Sequence, residues 1–127
     1  MLSNVTILGV PYEVQYVTCT DGDLEGFYGI ADHRRRIIKI KGGEGNDRAH
    51  MQTLLHEIIH CVNSILAVGK NGLTEQQVTF LDAGLFCVLM DNPQFLTELQ
   101  NVMAGKTGLT SHCPGGNDGN SGRAVPA

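Results

Sequence analysis

Residues 53–63 read "TLLHEIIHCVN". Leu54, Leu55, Ile58, Ile59 and Val62 make this the most apolar part of the chain, yet it holds two histidines four apart and a glutamate. From Arg48 to Val68 the apolar positions 51, 54, 55, 58, 59, 62, 65 and 66 keep helical spacing, which predicts a helix there with Gly69 as its stop. Three polar groups inside such a helix need partners, because an unsatisfied polar group in an apolar setting costs free energy.

Outward from this helix, the preceding forty residues are β-rich. "VTILGV" (5–10), "YEVQYVTC" (12–19), "LEGFYGIA" (24–31) and "RIIKIK" (36–41) read as strands bounded by turn residues, with Asp21-Gly22 and Asp32-His33 at two of the turns. They predict an antiparallel meander of three to four strands. Gly9-Val10-Pro11 is a place where the first two segments can join into one bent strand. "GGEGND" (42–47) breaks the pattern, and Asn46 or Asp47 can cap the helix that follows. Beyond it, "KNG" reads as a turn, and Thr74 with Gln77 matches a capping box for a second helix reaching about Asp91. Asn92-Pro93 opens a third helix, with Pro93 as its first residue and Gly105 as its stop. Strands followed by helices make the class α+β. Residues 1–105 are expected to form the domain, and the Gly/Ser/Asn-rich 106–127 a disordered tail.

With 127 residues the chain suits one domain. A net charge of −4 gives no basic footprint for nucleic acid, and "RRR" (34–36) reads as a solvated turn. "MLSNVTILGV" looks like neither a signal peptide nor a membrane span. The four cysteines, 19, 61, 87 and 113, are far apart and form no CxxC pair, so free thiols in a reducing cytoplasm are expected.

On a helix, His56 and His60 share a face and can aim imidazole nitrogens at one point, a spacing that suits zinc. Glu57 lies about 100° round the helix from His56. It is therefore placed to act on a water at the metal's open position rather than to bind the metal. The pattern is HExxH, a metal pair with a general base for peptide hydrolysis. The plainer alternative is two histidines bonded to backbone or water. A third ligand is expected from the second helix, whose apolar stripe runs through Val78, Leu81, Leu85, Val88 and Leu89. Glu75 and Asp82 fall on the side facing the first helix, where carboxylates are rarely buried without partners. Glu75 is assigned to the metal, and Asp82 accepts the other N–H of a ligand histidine. The reverse assignment stays open, and Glu75 alone could be a favourable charge at a helix N-terminus. His50 falls largely off the ligand face. Tyr28 could donate to an oxyanion, although a half-buried strand tyrosine is the default reading. Asn63 lies one turn past His60 and could bond an adjacent side chain or backbone. His112-Cys113 lacks companion ligands.

"TLLHEIIHCVNSIL" followed by "LTEQQVTFLDAGLFCVLMDNP", after a small sheet, resembles the small zincin-type metallopeptidases of phages and prophages. These lie near the gluzincins and the ImmA/IrrE and SprT-like groups. The resemblance covers residues 5–95 and implies zinc, a glutamate third ligand and endopeptidase activity on a peptide or protein. No histidine or tyrosine after the metal helix stands out as a holder of the oxyanion. The alternative is a non-catalytic zinc-binding phage interaction protein with a vestigial peptidase site.

Overall fold

The computed structural model describes residues 1–18, 22–24, 26–42, 47–67 and 71–106. Strands β1 (Asn4–Ile7), β2 (Val10–Val17), β3 (Gly29–Asp32) and β4 (Ile37–Lys41) precede helices α1 (Asp47–Leu66), α2 (Glu75–Asp91) and α3 (Pro93–Met103). The architecture is α+β, a four-stranded sheet followed by three helices. Met1–Val88 is one compact unit and a second begins at Leu89, within the last turn of α2. The expected tail from 107 onward, Cys19, Asp21, Asn46, Gly69, and the His112-Cys113 pair lie outside the described residues.

The sheet order is β1-β2-β4-β3, and it is mixed rather than an all-antiparallel meander. β1–β2 and β3–β4 are antiparallel, but β4 runs parallel to β2, with Val14 opposite Ile38 and Tyr16 opposite Ile40. Burial explains the order. β4 carries Ile38 and Ile40, both fully buried, and a central position covers them on either side. Burying each contributes about 1.5–3 kcal/mol. A meander would have left β4 at the edge. That place goes to the short β3, which offers little apolar surface.

The first two segments do not merge into a bent strand. The chain reverses at Leu8-Gly9, a two-residue loop in which both φ angles are positive (50° and 81°), and Ile7 pairs with Val10. This is the pattern of a type I′ hairpin, whose twist matches that of its strands. Leucine is a poor residue for it, since its Cβ crowds the backbone in the left-handed region.

One face of the sheet presents Ile7, Tyr12, Val14, Ile38 and Ile40 to α1, which answers with Leu54 and Cys61. On α1 the buried positions are Leu54, Glu57 and Cys61, at spacings of three and four. Glu57 thus faces the sheet among core residues.

The α2 capping box forms as the sequence spells it. The Thr74 N–H donates to Gln77 Oε1 at 2.9 Å, and the Gln77 N–H donates to Thr74 Oγ1 at 3.2 Å. The face of α2 that turns inward keeps Val78 and Asp82 where they were expected, but not the rest of the stripe. Val78, Asp82 and Phe86 are buried, whereas Leu81, Leu85 and Val88 are exposed. α2 is apolar nearly all round, so hydrophobic spacing alone does not choose its inner face. In the second unit, α3 starts with Pro93 as its first residue and ends at Gly105 (φ 74°), whose N–H donates to Val102 O at 3.0 Å. No helix among the described residues is long and apolar enough to cross a membrane.

Two expectations follow. Leu8 is 55 % exposed, so replacing it loses little burial. Leu8→Asn should therefore raise stability by about 1 kcal/mol, read as a higher denaturation midpoint. A lowered midpoint would contradict the hairpin. Cys61 is buried, and burial pushes its thiol up to about 11, whereas Cys87 is exposed. Peptide mapping after alkylation of the native protein at mildly alkaline pH should find Cys87 modified and Cys61 protected until unfolding. Equal labelling would contradict the packing of α1 on the sheet.

Candidate metal centre

Beside the sheet-facing stripe of α1 runs a second, polar one. Gln52, His56, His60 and Asn63 follow one another at intervals of four, four and three residues. All four are partly buried, and each meets α2 or the loop leading to it. Asn63 Oδ1 accepts the N–H of Leu73 at 2.9 Å, which fixes the chain one residue ahead of the Thr74 cap. Glu75, the first residue of α2, is thereby held opposite the later half of α1.

The Glu75 carboxylate spans both imidazoles. Its Oε1 lies 2.9 Å from His56 Nε2 and its Oε2 lies 2.9 Å from His60 Nε2. The two Nε2 atoms are 3.1 Å apart. A tetrahedral zinc with ligands at about 2.0–2.1 Å requires its donor atoms to be about 3.3 Å apart. A spread of a few tenths of an ångström would therefore seat an ion, and the donor set of two imidazoles and one carboxylate suits a divalent metal. His56, His60 and Glu75 form a group that could hold a metal ion.

Asp82 lies behind His56. It is 4 % exposed, and its Oδ2 sits 2.5 Å from His56 Nδ1 while Oδ1 accepts from Gln52 Nε2 at 3.1 Å. With Nδ1–H donated to Asp82, the Nε2 lone pair of His56 points to the Glu75 side. Of the two carboxylates on α2, Glu75 joins the imidazole nitrogens in one cluster, and Asp82 meets the far nitrogen of one ring. Burial works against protonation of His56, but the Asp82 hydrogen bond and the charges of Glu57, Glu75 and Asp82 outweigh it and raise its pKa. His60 is lowered, by burial first; Glu75 opposes the shift, and the charges of His56 and His33 add to it.

Glu57 is 6 % exposed, and burial pushes its carboxyl up to about 7; His56 opposes the shift, and Glu75 and Asp82 add to it. Packing against β3 locates this side chain. The β3 positions on the α1 side, Gly29 and Ala31, oppose Ile40 and Ile38 and carry the smallest side chains. A Cβ on Gly29 would stand 2.8 Å from Thr53 Cγ2 and 3.0 Å from Glu57 Oε1, so only glycine lets α1 come this close. A glycine inside a strand is the sequence signal for such an approach.

The cluster and Glu57 open on a cavity of about 810 Å³ between α1, α2 and β3, within the first unit. The structure brings His56, Glu57, His60, Glu75 and Asp82 together around it. Tyr28 lines it too, but stands 79 % exposed in the bend before β3 rather than half-buried in a strand. His50 stays apart, its ring centroid 6.1 Å from that of Tyr16. Sequence reasoning missed Gln52, whose signal was its place one turn before His56. It also missed His33, a cavity residue from the β3–β4 turn that no local pattern could reveal. No protein-family model, curated protein or solved structure matches the chain.

The close approach at Gly29 can be tested by paired substitution. Gly29→Ala should cost about 1–3 kcal/mol of stability, as overpacking does. Adding Thr53→Ser removes the methyl group at 2.8 Å and should recover part of the loss. A fully tolerated Gly29→Ala would contradict the packing of α1 on the edge strand.

Proposed function

We propose that the chain is a zinc-dependent endopeptidase of the zincin type, acting on a peptide or protein in the cytoplasm. The observation that carries this reading is Glu57. A carboxyl buried against β3 at Gly29, and pushed up to about 7 by that burial, sits one residue from a metal donor and faces the same cavity as the His56, His60 and Glu75 cluster. A general base works best with a pKa near the operating pH. Two plain core histidines would not call for it.

His56, His60 and Glu75 would hold the zinc, which would supply Lewis-acid chemistry for the scissile carbonyl and the attacking water. Asp82 fixes the His56 ring with Nδ1–H inward, leaving Nε2 free to bind, and Gln52 fixes Asp82 in turn. Glu57 takes the proton of the attacking water and delivers it to the leaving amine. Its wall against β3 keeps the carboxylate from swinging away. As an edge strand, β3 can receive an extended peptide through main-chain hydrogen bonds. The alternative, a non-catalytic zinc-binding interaction protein with a vestigial site, gives Glu57 no role, and a buried carboxyl without one is a cost.

Purified protein should bind one zinc per chain and lose it in His56→Ala and in His60→Ala, measured by elemental analysis. Glu57→Gln should keep the metal and the fold while hydrolysis falls by about 10²–10⁴-fold. Glu75→Gln should lower zinc affinity sharply, and Asp82→Asn should lower affinity or activity by about 10–100-fold. If Asp82→Asn strips the metal while Glu75→Gln retains it, the two roles are exchanged. Bound zinc without cleavage of any member of a peptide library would favour the non-catalytic alternative.

A further inference from the structure

Gly29 is a glycine that its own chain requires, and Gly84 is not. Gly84 lies in the middle of α2, and a Cβ placed there would meet nothing within 4 Å. Glycine inside a helix is unfavourable relative to alanine, because it loses the most backbone freedom on folding. Neither α1 nor the sheet asks for it here. On a helix surface the neighbours of position 84 stand three and four residues away. They are Phe80, Leu81, Cys87 and Val88, and all four are exposed, Phe80 to 67 %. Leu85, next to Gly84 in the chain, is exposed as well. Asp82 and the buried side lie about 200° round the helix from Gly84. The cavity takes Glu75, Thr79, Asp82 and Ala83 from α2, and none of them belongs to this outer patch. The whole patch falls within the first unit.

Sequence and charge narrow what can cover it. Residues 107–127 offer Leu109 and Val125 as their large aliphatic side chains and have no phenylalanine, tyrosine or methionine, too little to fill such a face. α2 carries no lysine or arginine, so it lacks the cations that hold an amphipathic helix on an anionic lipid surface. A second copy of the chain fits, because the patch is complementary to itself. When two copies of α2 cross antiparallel at Gly84, residues equally far before and after it meet. Phe80 then lies against Val88 of the second copy, and Leu81 against Cys87, so a larger side chain faces a smaller one on both sides of the crossing. The paired glycines let the two backbones approach closely. Opposed helix dipoles favour this order over the parallel one, which would set Phe80 on Phe80. The exposed surface of the patch comes to roughly 400–500 Å² a side, at the small end of specific interfaces.

We propose that the chain forms a two-fold symmetric dimer through this outer face of α2, with Gly84 at the crossing. The contact is isologous, the same patch serving on both copies. It braces the helix that carries Glu75 and Asp82 from the side away from them, and both cavities stay open. The proposal stands apart from the peptidase reading.

The test uses the full chain loaded with zinc. Sedimentation velocity from about 1 to 500 μM should show the mass passing from monomer to dimer, with a dissociation constant on the order of 10–100 μM. Alkylation of Cys87, which proceeds through the dissociated chain, should slow as the concentration rises through that constant. Gly84→Gln puts a good helix former into open space. It should raise the melting temperature of the dilute protein while weakening the dimer by ~10-fold or more. In a background of Cys19→Ser and Cys113→Ser, Leu81→Cys should give a covalent dimer with diamide, the new thiol joining Cys87 of the second copy. Cys87 alone should not cross-link, since its two copies stand about 9 Å apart along the crossed helices, too far for a disulfide. A monomer at every concentration overturns the proposal. A monomer that pellets with phosphatidylserine vesicles overturns it too and gives the face to lipid. A Gly84→Gln protein that dimerises like the wild type overturns the crossing point, and cross-linking through Cys87 alone overturns the antiparallel order.

Discussion

A carboxylate buried on α2 has to be satisfied from α1, and the site is arranged around that requirement. Asp82 is almost wholly out of water, and its two oxygens are met by Gln52 and His56. Breaking such a pair leaves an uncompensated polar group in the interior, a heavy cost for a small domain. Since α2 is apolar on nearly every side, this polar contact, more than hydrophobic spacing, decides which face turns inward. Once Asp82 is seated, Val78 and Phe86 are buried with it, and the first turn of the helix delivers Glu75 to the two Nε2 atoms. Asn63 and the Thr74–Gln77 box fix the same end from the loop side. One buried hydrogen bond thus sets the orientation of His56 and the position of the third donor together.

A second constraint comes from the sheet. α1 packs on β3 across Gly29 and Ala31, and that close approach leaves Glu57 between helix and strand. Burial there raises its carboxyl toward neutrality. The helix therefore offers two chemical faces a quarter-turn apart. One presents imidazole nitrogens that could hold a cation, and the other presents a buried carboxyl. Both open on one cavity, and the edge strand lies along it.

Much of this was legible in the sequence, for identifiable reasons. The i, i+4 spacing of His56 and His60 is a helical signal, and the apolar run around them marks the helix as packed on one side. Thr74, Gln77, Pro93 and Gly105 act through backbone hydrogen bonds within a few residues, so local reading reached them. The sheet order was not legible, because pairing β4 in parallel with β2 is decided by burial of Ile38 and Ile40 across the whole sheet. The hairpin at Leu8-Gly9 was hidden because leucine carries no turn signal. On α2 the expected inward placement of Val78 and Asp82 holds, but Leu81, Leu85 and Val88 of the expected apolar stripe are exposed and Phe86 is buried instead. Gln52 and His33 acquire meaning only from partners that the fold brings near.

In the proposed site two imidazoles and Glu75 hold the metal while Asp82 and Glu57 act beside it. The most direct measurement is an anomalous-difference map at the zinc absorption edge, from crystals of the zinc-loaded protein. One peak is expected, ligated by His56 Nε2, His60 Nε2 and a Glu75 oxygen at about 2.0–2.2 Å. Asp82 should remain on His56 Nδ1, and Glu57 should stand off the ion. A peak ligated by Asp82 or Glu57, or no peak at these residues, would contradict it.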